Sequence, residues 1–73
     1  MTQHRSKIRV TVTEAHFGDV IAELHRKGSL IFSMKHESGR CVIEADAPIL
    51  EIGLFEKWFA HMAYAEDDRV EFL

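Results

Sequence analysis

In 73 residues the sequence has one cysteine, one proline, one tryptophan and one tyrosine, and these scarcities, with a few outright absences, narrow what the chain is. A lone Cys41 rules out an internal disulfide. No stretch joins a charged start, an apolar run and a small-residue cleavage site as a signal peptide does, so the expected location is the cytoplasm. The longest apolar stretches, Leu30 to Phe32 and Ile52 to Phe55 with Gly53 inside, fall far below the roughly 20 residues that cross a bilayer, and no membrane partner is expected. The phosphate-cradling Gly-x-x-x-x-Gly-Lys-[Ser/Thr] pattern is missing, so the chain by itself is not expected to hydrolyse GTP. Positive charge is not in excess either. Nine Lys and Arg against twelve Asp and Glu leave a net charge of −3, which opposes sequence-independent attraction to a phosphate backbone.

What is present is an ordinary globular composition, 47% hydrophobic and 29% charged. The length is that of one small domain, near the size where a single core supplies only a few kcal/mol net. The net charge hides an asymmetry: Met1 to Arg40 carries seven Lys and Arg against four Asp and Glu, while Cys41 to Leu73 carries two against eight. One part therefore suits RNA and the other repels it.

Lys7 to Thr13 alternates apolar Ile8, Val10 and Val12 with polar neighbours, the period-two pattern of a strand with one buried face. Thr13 is placed to N-cap a helix, with Glu14 where the helix dipole favours a negative charge. Phe17, Val20, Ile21 and Leu24 then follow three-and-four spacing, and Arg26, Lys27 and Gly28 supply a basic last turn and a left-handed stop. Gly18 within this helix predicts a close approach of another backbone, at Gly53 of the second helix.

Leu30 to Lys35 reads as a strand with Leu30, Phe32 and Met34 inward and Ile31, Ser33 and Lys35 outward. Glu37-Ser38-Gly39-Arg40 carries hairpin chemistry, and Arg40 to Asp46 is a third strand with Cys41, Ile43 and Ala45 on one side. Pro48 suits the first position of a second helix running to about Ala63, with Ile52, Phe55, Phe59 and Met62 as its apolar stripe and Leu54 and Trp58 widening it. An acidic loop, Glu66-Asp67-Asp68, precedes a closing strand from Arg69 to Leu73 with Val70 and Phe72 inward.

Strand, helix, strand, strand, helix, strand is the order of the ferredoxin-like α+β fold, a βαββαβ sandwich. Right-handed crossovers place the first and third strands in the centre, the fourth beside the first and the second at the far edge, with both helices on one face. Residues 1–6 read as a flexible tail and 7–73 as the domain. Arg9 is expected between Glu44 and Glu71 on a charged open face without the exposed aromatics of base-stacking sheets.

Gly18-Asp19-Val20-Ile21, Leu24, Arg26-Lys27 and Gly28-Ser29-Leu30, followed by Val42-Ile43, Ala45, Pro48, Glu51 and Gly53, resemble the C-terminal domain of the elongation factor G family over almost the whole chain. The resemblance implies a ferredoxin-like module without an active site that contacts ribosomal RNA and protein, and by similarity His25, Arg26, Lys27 and Ser29 as the contact surface. The chain departs from the family before the last strand. Tyr64-Ala65-Glu66-Asp67-Asp68-Arg69 stands where the family has a glycine-rich, arginine-containing segment, so the loop is acidic.

Enzymatic chemistry is not expected. His4, His16, His25, His36 and His61 lack zinc-ligand spacing, Cys41 is expected in a strand with no adjacent histidine, and the paired acids read as surface charge, so neither metal nor cofactor is anticipated. The expected function is a non-enzymatic interaction module for the ribosome, structured RNA or a translation protein. The alternative is a protein-interaction or homodimerisation domain using Ile31 on the second strand, or Trp58 and Tyr64. A small-ligand sensor is a third possibility, for which no glycine-rich ligand loop argues.

Overall fold

The computed structural model describes residues 4–62 and 68–73. Four strands, β1 (Arg5–Thr13), β2 (Leu30–Glu37), β3 (Arg40–Pro48) and β4 (Arg69–Phe72), and two helices, α1 (Phe17–Arg26) and α2 (Ile49–Met62), follow the expected order. The sheet is antiparallel throughout in the order β2-β3-β1-β4. With the helices on one face this is the ferredoxin-like α+β fold.

The alternation in the central strands produces the core directly. Ile8, Val10 and Val12 of β1 and Cys41, Ile43, Ala45 and Ala47 of β3 are buried, and Val20 and Leu24 of α1 with Ile52, Phe55 and Phe59 of α2 close over them. The rings of Phe59 and Trp58 lie 5.8 and 5.7 Å from that of Phe55. On the opposite face Arg9 is in register with both Glu44 and Glu71, as expected, and its guanidinium pairs with Glu44 at 3.1 Å. Glu71 is engaged by Arg69 instead.

The boundaries move where the backbone finds partners that the side-chain pattern does not reveal. β1 begins at Arg5, because Arg5 and Ser6 pair with Pro48 and Ala47; of the expected tail, residues 1–3 lie outside the described residues. Pro48 ends β3 rather than beginning α2, and the amide of Ile49 donates to the His4 carbonyl at 3.0 Å. Thr13 precedes a 3-10 turn, Glu14–His16, and makes no side-chain cap bond, so α1 starts only at Phe17. The other end of α1 is as expected. Gly28 takes φ +75°, and the amides of Gly28 and Ser29 close back on the carbonyls of His25 and Leu24 at 3.1 and 3.0 Å, a Schellman arrangement.

Two packing expectations are corrected. Among the described residues, and apart from each glycine's own helix and chain neighbours, no atom lies within 4 Å of where a Cβ would stand on Gly18 or Gly53, so the helices do not approach through these glycines. In β2, Ile31 pairs with Ala45 and Ser33 with Glu44, which leaves Phe32 as an extra, bulged residue. The bulge inverts the side-chain parity before it. Ile31 therefore packs on the core, whereas Leu30 is opposite Asp46 and Phe32 reaches the open face, where the Lys7 ammonium sits 5.7 Å from its ring centroid. Met34 is on the helix side opposite Ile43, yet as an edge residue it stays half exposed. Phe72 likewise faces the helix side opposite Ile8 but remains exposed at the other edge. At the far end of β2, Ser38 and Gly39 both have positive φ, 49° and 77°, and link Glu37 to Arg40 in the two-residue hairpin that the sequence predicts.

Candidate functional site

The resemblance points first to the end of α1, and the structure separates its four residues. His25 and Arg26 are exposed, Lys27 is half-buried and Ser29 is buried, its hydroxyl without a hydrogen-bond partner. Ser29 is therefore not part of the exposed surface. Arg26 and Lys27 converge on the buried carboxylate of Glu23, at 2.6 and 3.2 Å. Glu23 lies one residue before Leu24, on the side of α1 that meets α2, and with Arg26, Trp58 and Met62 it lines a hollow of about 340 Å³ between the helices. A carboxylate kept from water needs compensating charge, and the two cations supply it. Much of the positive charge at this end is thus consumed within the protein, although the Arg26 side chain keeps 72% of its surface exposed. Nearby, Arg5 donates to the Gly28 carbonyl at 3.3 Å and pairs with Asp46 at 2.7 Å.

The alternative surface is more open than the sequence suggests. β2 forms one edge of the sheet for eight residues, and Leu30, Phe32 and Met34 are 66, 52 and 52% exposed. Ile31, assigned to this surface from sequence, is half-buried against the core. Trp58 is half-buried beside α1, and Tyr64 lies outside the described residues. The residues that sequence reasoning missed are Leu30 and Phe32, whose exposure follows from the bulge, and Met34, exposed because β2 is an edge strand.

The open face of the sheet carries a broad hollow of about 450 Å³ walled by Arg9, Lys35, Arg40 and Arg69 together with Glu37, Glu44 and Glu71. The signs are interspersed, and Arg9 and Arg69 are already paired with Glu44 and Glu71, so the face does not build a strong field of either sign. Phe32 at its margin corrects the expectation of a face without exposed aromatics.

Cys41 is a buried strand residue, as expected, but a histidine stands next to it in space. His36 is its cross-strand partner, with Nδ1 3.0 Å from Sγ. Burial pushes the Cys41 thiol above its ordinary pKa, and the charge of Glu14 adds to the rise. A thiol so held is protonated at neutral pH, the opposite of an activated nucleophile.

These features define the protein as a small ferredoxin-like α+β module. No family model matches the chain. Among solved structures it is similar to a segment of a Thermus thermophilus protein, at 18% identity and a TM-score of 0.75, covering 97% of this chain but 12% of that one. The chain thus spans about an eighth of that protein's length. It is also similar to a nitrogen regulatory PII-like protein of Thiomonas intermedia K12, solved with ADP, AMP and bicarbonate, at 17% identity and a TM-score of 0.63, covering 100% of this chain and 97% of that one. At these identities the likeness is one of fold. Among the described residues no helix is long and apolar enough to cross a membrane.

Proposed function

We propose that this chain is a non-enzymatic interaction module that pairs with another protein chain along β2, a second copy of itself being the simplest partner. The observation that carries this reading is an eight-residue edge strand bearing three large, exposed apolar side chains. An edge strand offers a row of backbone donors and acceptors to an incoming strand, and apolar side chains beside that row add the burial that makes pairing favourable. The bulge at Phe32 interrupts the ladder, so the regular half, Ser33 to Glu37, is where a strand would add, with Phe32 and Met34 as its apolar flank. Sedimentation or light scattering of the isolated chain tests this. A dimer that becomes a monomer in the Phe32→Lys, Met34→Lys variant, with the circular dichroism of the folded protein retained, is the expected result; a wild-type monomer at high micromolar concentration would refute self-pairing.

A second reading keeps the resemblance to the elongation factor G C-terminal domain and assigns the chain to ribosome or structured-RNA binding through the end of α1. It is favoured by the exposed Arg26 guanidinium beside His25. A likeness in fold to one segment of a far longer chain also suits a module of this kind. Here affinity for ribosomal RNA should fall steeply with salt and weaken in Arg26→Ala, a change that leaves Lys27 to neutralise Glu23. An affinity insensitive to both salt and Arg26 would dismiss this reading.

A further inference from the structure

The hairpin end of the molecule gathers three side chains of different chemistry that are far apart in sequence. Glu14 comes from the 3-10 turn after β1, His36 from the end of β2 and Cys41 from the start of β3. One ligand atom from each, a carboxylate oxygen, an imidazole nitrogen and the thiol sulfur, lies within 4.8 Å of the other two. From this convergence we infer a binding site for a borderline-soft divalent cation of the Zn(II) type, held by Cys41 Sγ, His36 Nδ1 and Glu14 Oε1.

The geometry distinguishes this arrangement from a catalytic relay. In a nucleophile-base-acid chain the carboxylate holds the imidazole nitrogen opposite the one that faces the nucleophile. Here Sγ at 3.0 Å and Glu14 Oε1 at 3.7 Å both approach the same nitrogen, Nδ1. Atoms that converge on one point surround a cation; they do not pass a proton along a line. Metal–ligand bonds of ordinary length in a tetrahedral zinc site put S and N about 3.6 Å apart and N and O about 3.3 Å apart. The observed separations, 3.0 and 3.7 Å, differ from these values by about 0.6 and 0.4 Å.

Surrounding contacts hold the three elements in place. The Glu14 amide donates to the Gly39 carbonyl at 3.0 Å, tying the turn to the hairpin, and the Phe17 ring stands 5.1 Å from the His36 ring. The two-residue turn fixes His36 opposite Cys41. Cys41 is fully buried while His36 and Glu14 are exposed, so the sulfur anchors the site from inside and the fourth position opens toward solvent. Thiolate, imidazole and carboxylate together suit zinc or cobalt and not a hard, oxygen-seeking ion. Binding replaces the thiol proton, Cys41–SH and M(II) giving the Cys41–S–M(II) bond and one proton released to solvent. The site shares β2 with the edge-pairing reading, since His36 lies within Ser33 to Glu37, but it uses none of the apolar flank, so Phe32→Lys, Met34→Lys leaves its three ligands in place.

The test is titration of the reduced, metal-free chain with Zn(II) and, separately, Co(II). One equivalent should bind, Co(II) should develop a thiolate charge-transfer band, and calorimetry in buffers of different ionisation enthalpy should detect about one proton released per metal. Cys41→Ala should abolish the band. Because a core substitution can perturb folding, His36→Gln and Glu14→Gln, both at exposed positions, carry the decision: at least a tenfold loss of affinity is expected in the first and a smaller loss in the second. Absence of saturable binding at micromolar metal, or affinity unchanged in His36→Gln, would overturn the site and assign any residual binding to other surface histidines.

Discussion

The centre of the sheet and its β2 edge are built from similar residues and behave in opposite ways. Ile43 in β3 and Met34 in β2 are cross-strand partners on the helix side, yet Ile43 is wholly buried and Met34 is half exposed. A central strand has a neighbour on each side and helices above, so each inward side chain finds partners in every direction. At the edge one flank is missing. The bulge widens the difference by turning Phe32 to the open face, where its partner is the alkyl-ammonium chain of Lys7 and not the core. Apolar character therefore stabilises the fold in the centre and remains available for a partner at the edge.

The sharpest test of this contrast substitutes a phenylalanine on each side of it. Phe55→Ala should cost about 3–5 kcal/mol, the loss of a buried ring plus the cavity left behind, whereas Phe32→Ala should change the stability of the monomer by less than about 1 kcal/mol. Urea unfolding below the association concentration compares them, and similar losses would mean that Phe32 of β2 contributes as much to the core as Phe55 of α2.

Glu23 blurs the distinction, being as buried as the core and charged. Removing both cations in Arg26→Ala, Lys27→Ala strands its carboxylate and should destabilise the chain by about 2 kcal/mol, more than the two single changes together. Adding Glu23→Gln should recover most of that loss. If the triple variant is no more stable than the double, the ion cluster is not what supports this end of α1. The cycle also separates a folding effect from any RNA effect of the same substitutions.

A smaller effect follows from the thiol in the central strand. Its folded pKa is raised, so the neutral form is favoured in the native state. The stability this represents is complete below the thiol's unfolded value, near pH 8.5, and declines as pH rises toward and through the folded value. Stability of the reduced, metal-free protein should thus fall as pH rises above the thiol's unfolded value, and the decline should be shallower in Cys41→Ala. Equal slopes would assign the alkaline loss to other groups. Smallest of all, Gly53→Ala should stabilise α2 by up to about 1 kcal/mol, because a methyl group there meets no atom of the described residues outside its own helix within 4 Å; a loss of stability would reveal a contact at this helix face.

The legible parts of the sequence were those governed by one strong local pattern. Ile8-Val10-Val12 and Cys41-Ile43-Ala45 alternate over buried strands, Phe17-Val20-Ile21-Leu24 marks a helical face, and Gly28 and Gly39 mark the positive-φ turns. β2 was misread because a bulge shifts parity without any residue that announces it. The Gly18–Gly53 contact was misread because a helical glycine shows only a missing side chain, which close packing is one of several ways to produce. Of the α1 site, the basic exit and the three- and four-residue spacing of Arg26 and Lys27 from Glu23 are legible in the sequence, but the burial of Ser29 and Glu23 is decided by packing.

By itself the sequence determined the element order, the central register with Arg9 beside Glu44 and Glu71, and the face on which the helices lie, since each rests on the period of apolar residues and on right-handed crossovers. The tertiary structure alone decided which apolar residues of β2 remain exposed and that Glu23 is buried between the helices. It also decided that Glu14, His36 and Cys41 meet. These are matters of distance between segments remote in the chain, and chain spacing carries no record of them until the strands have paired.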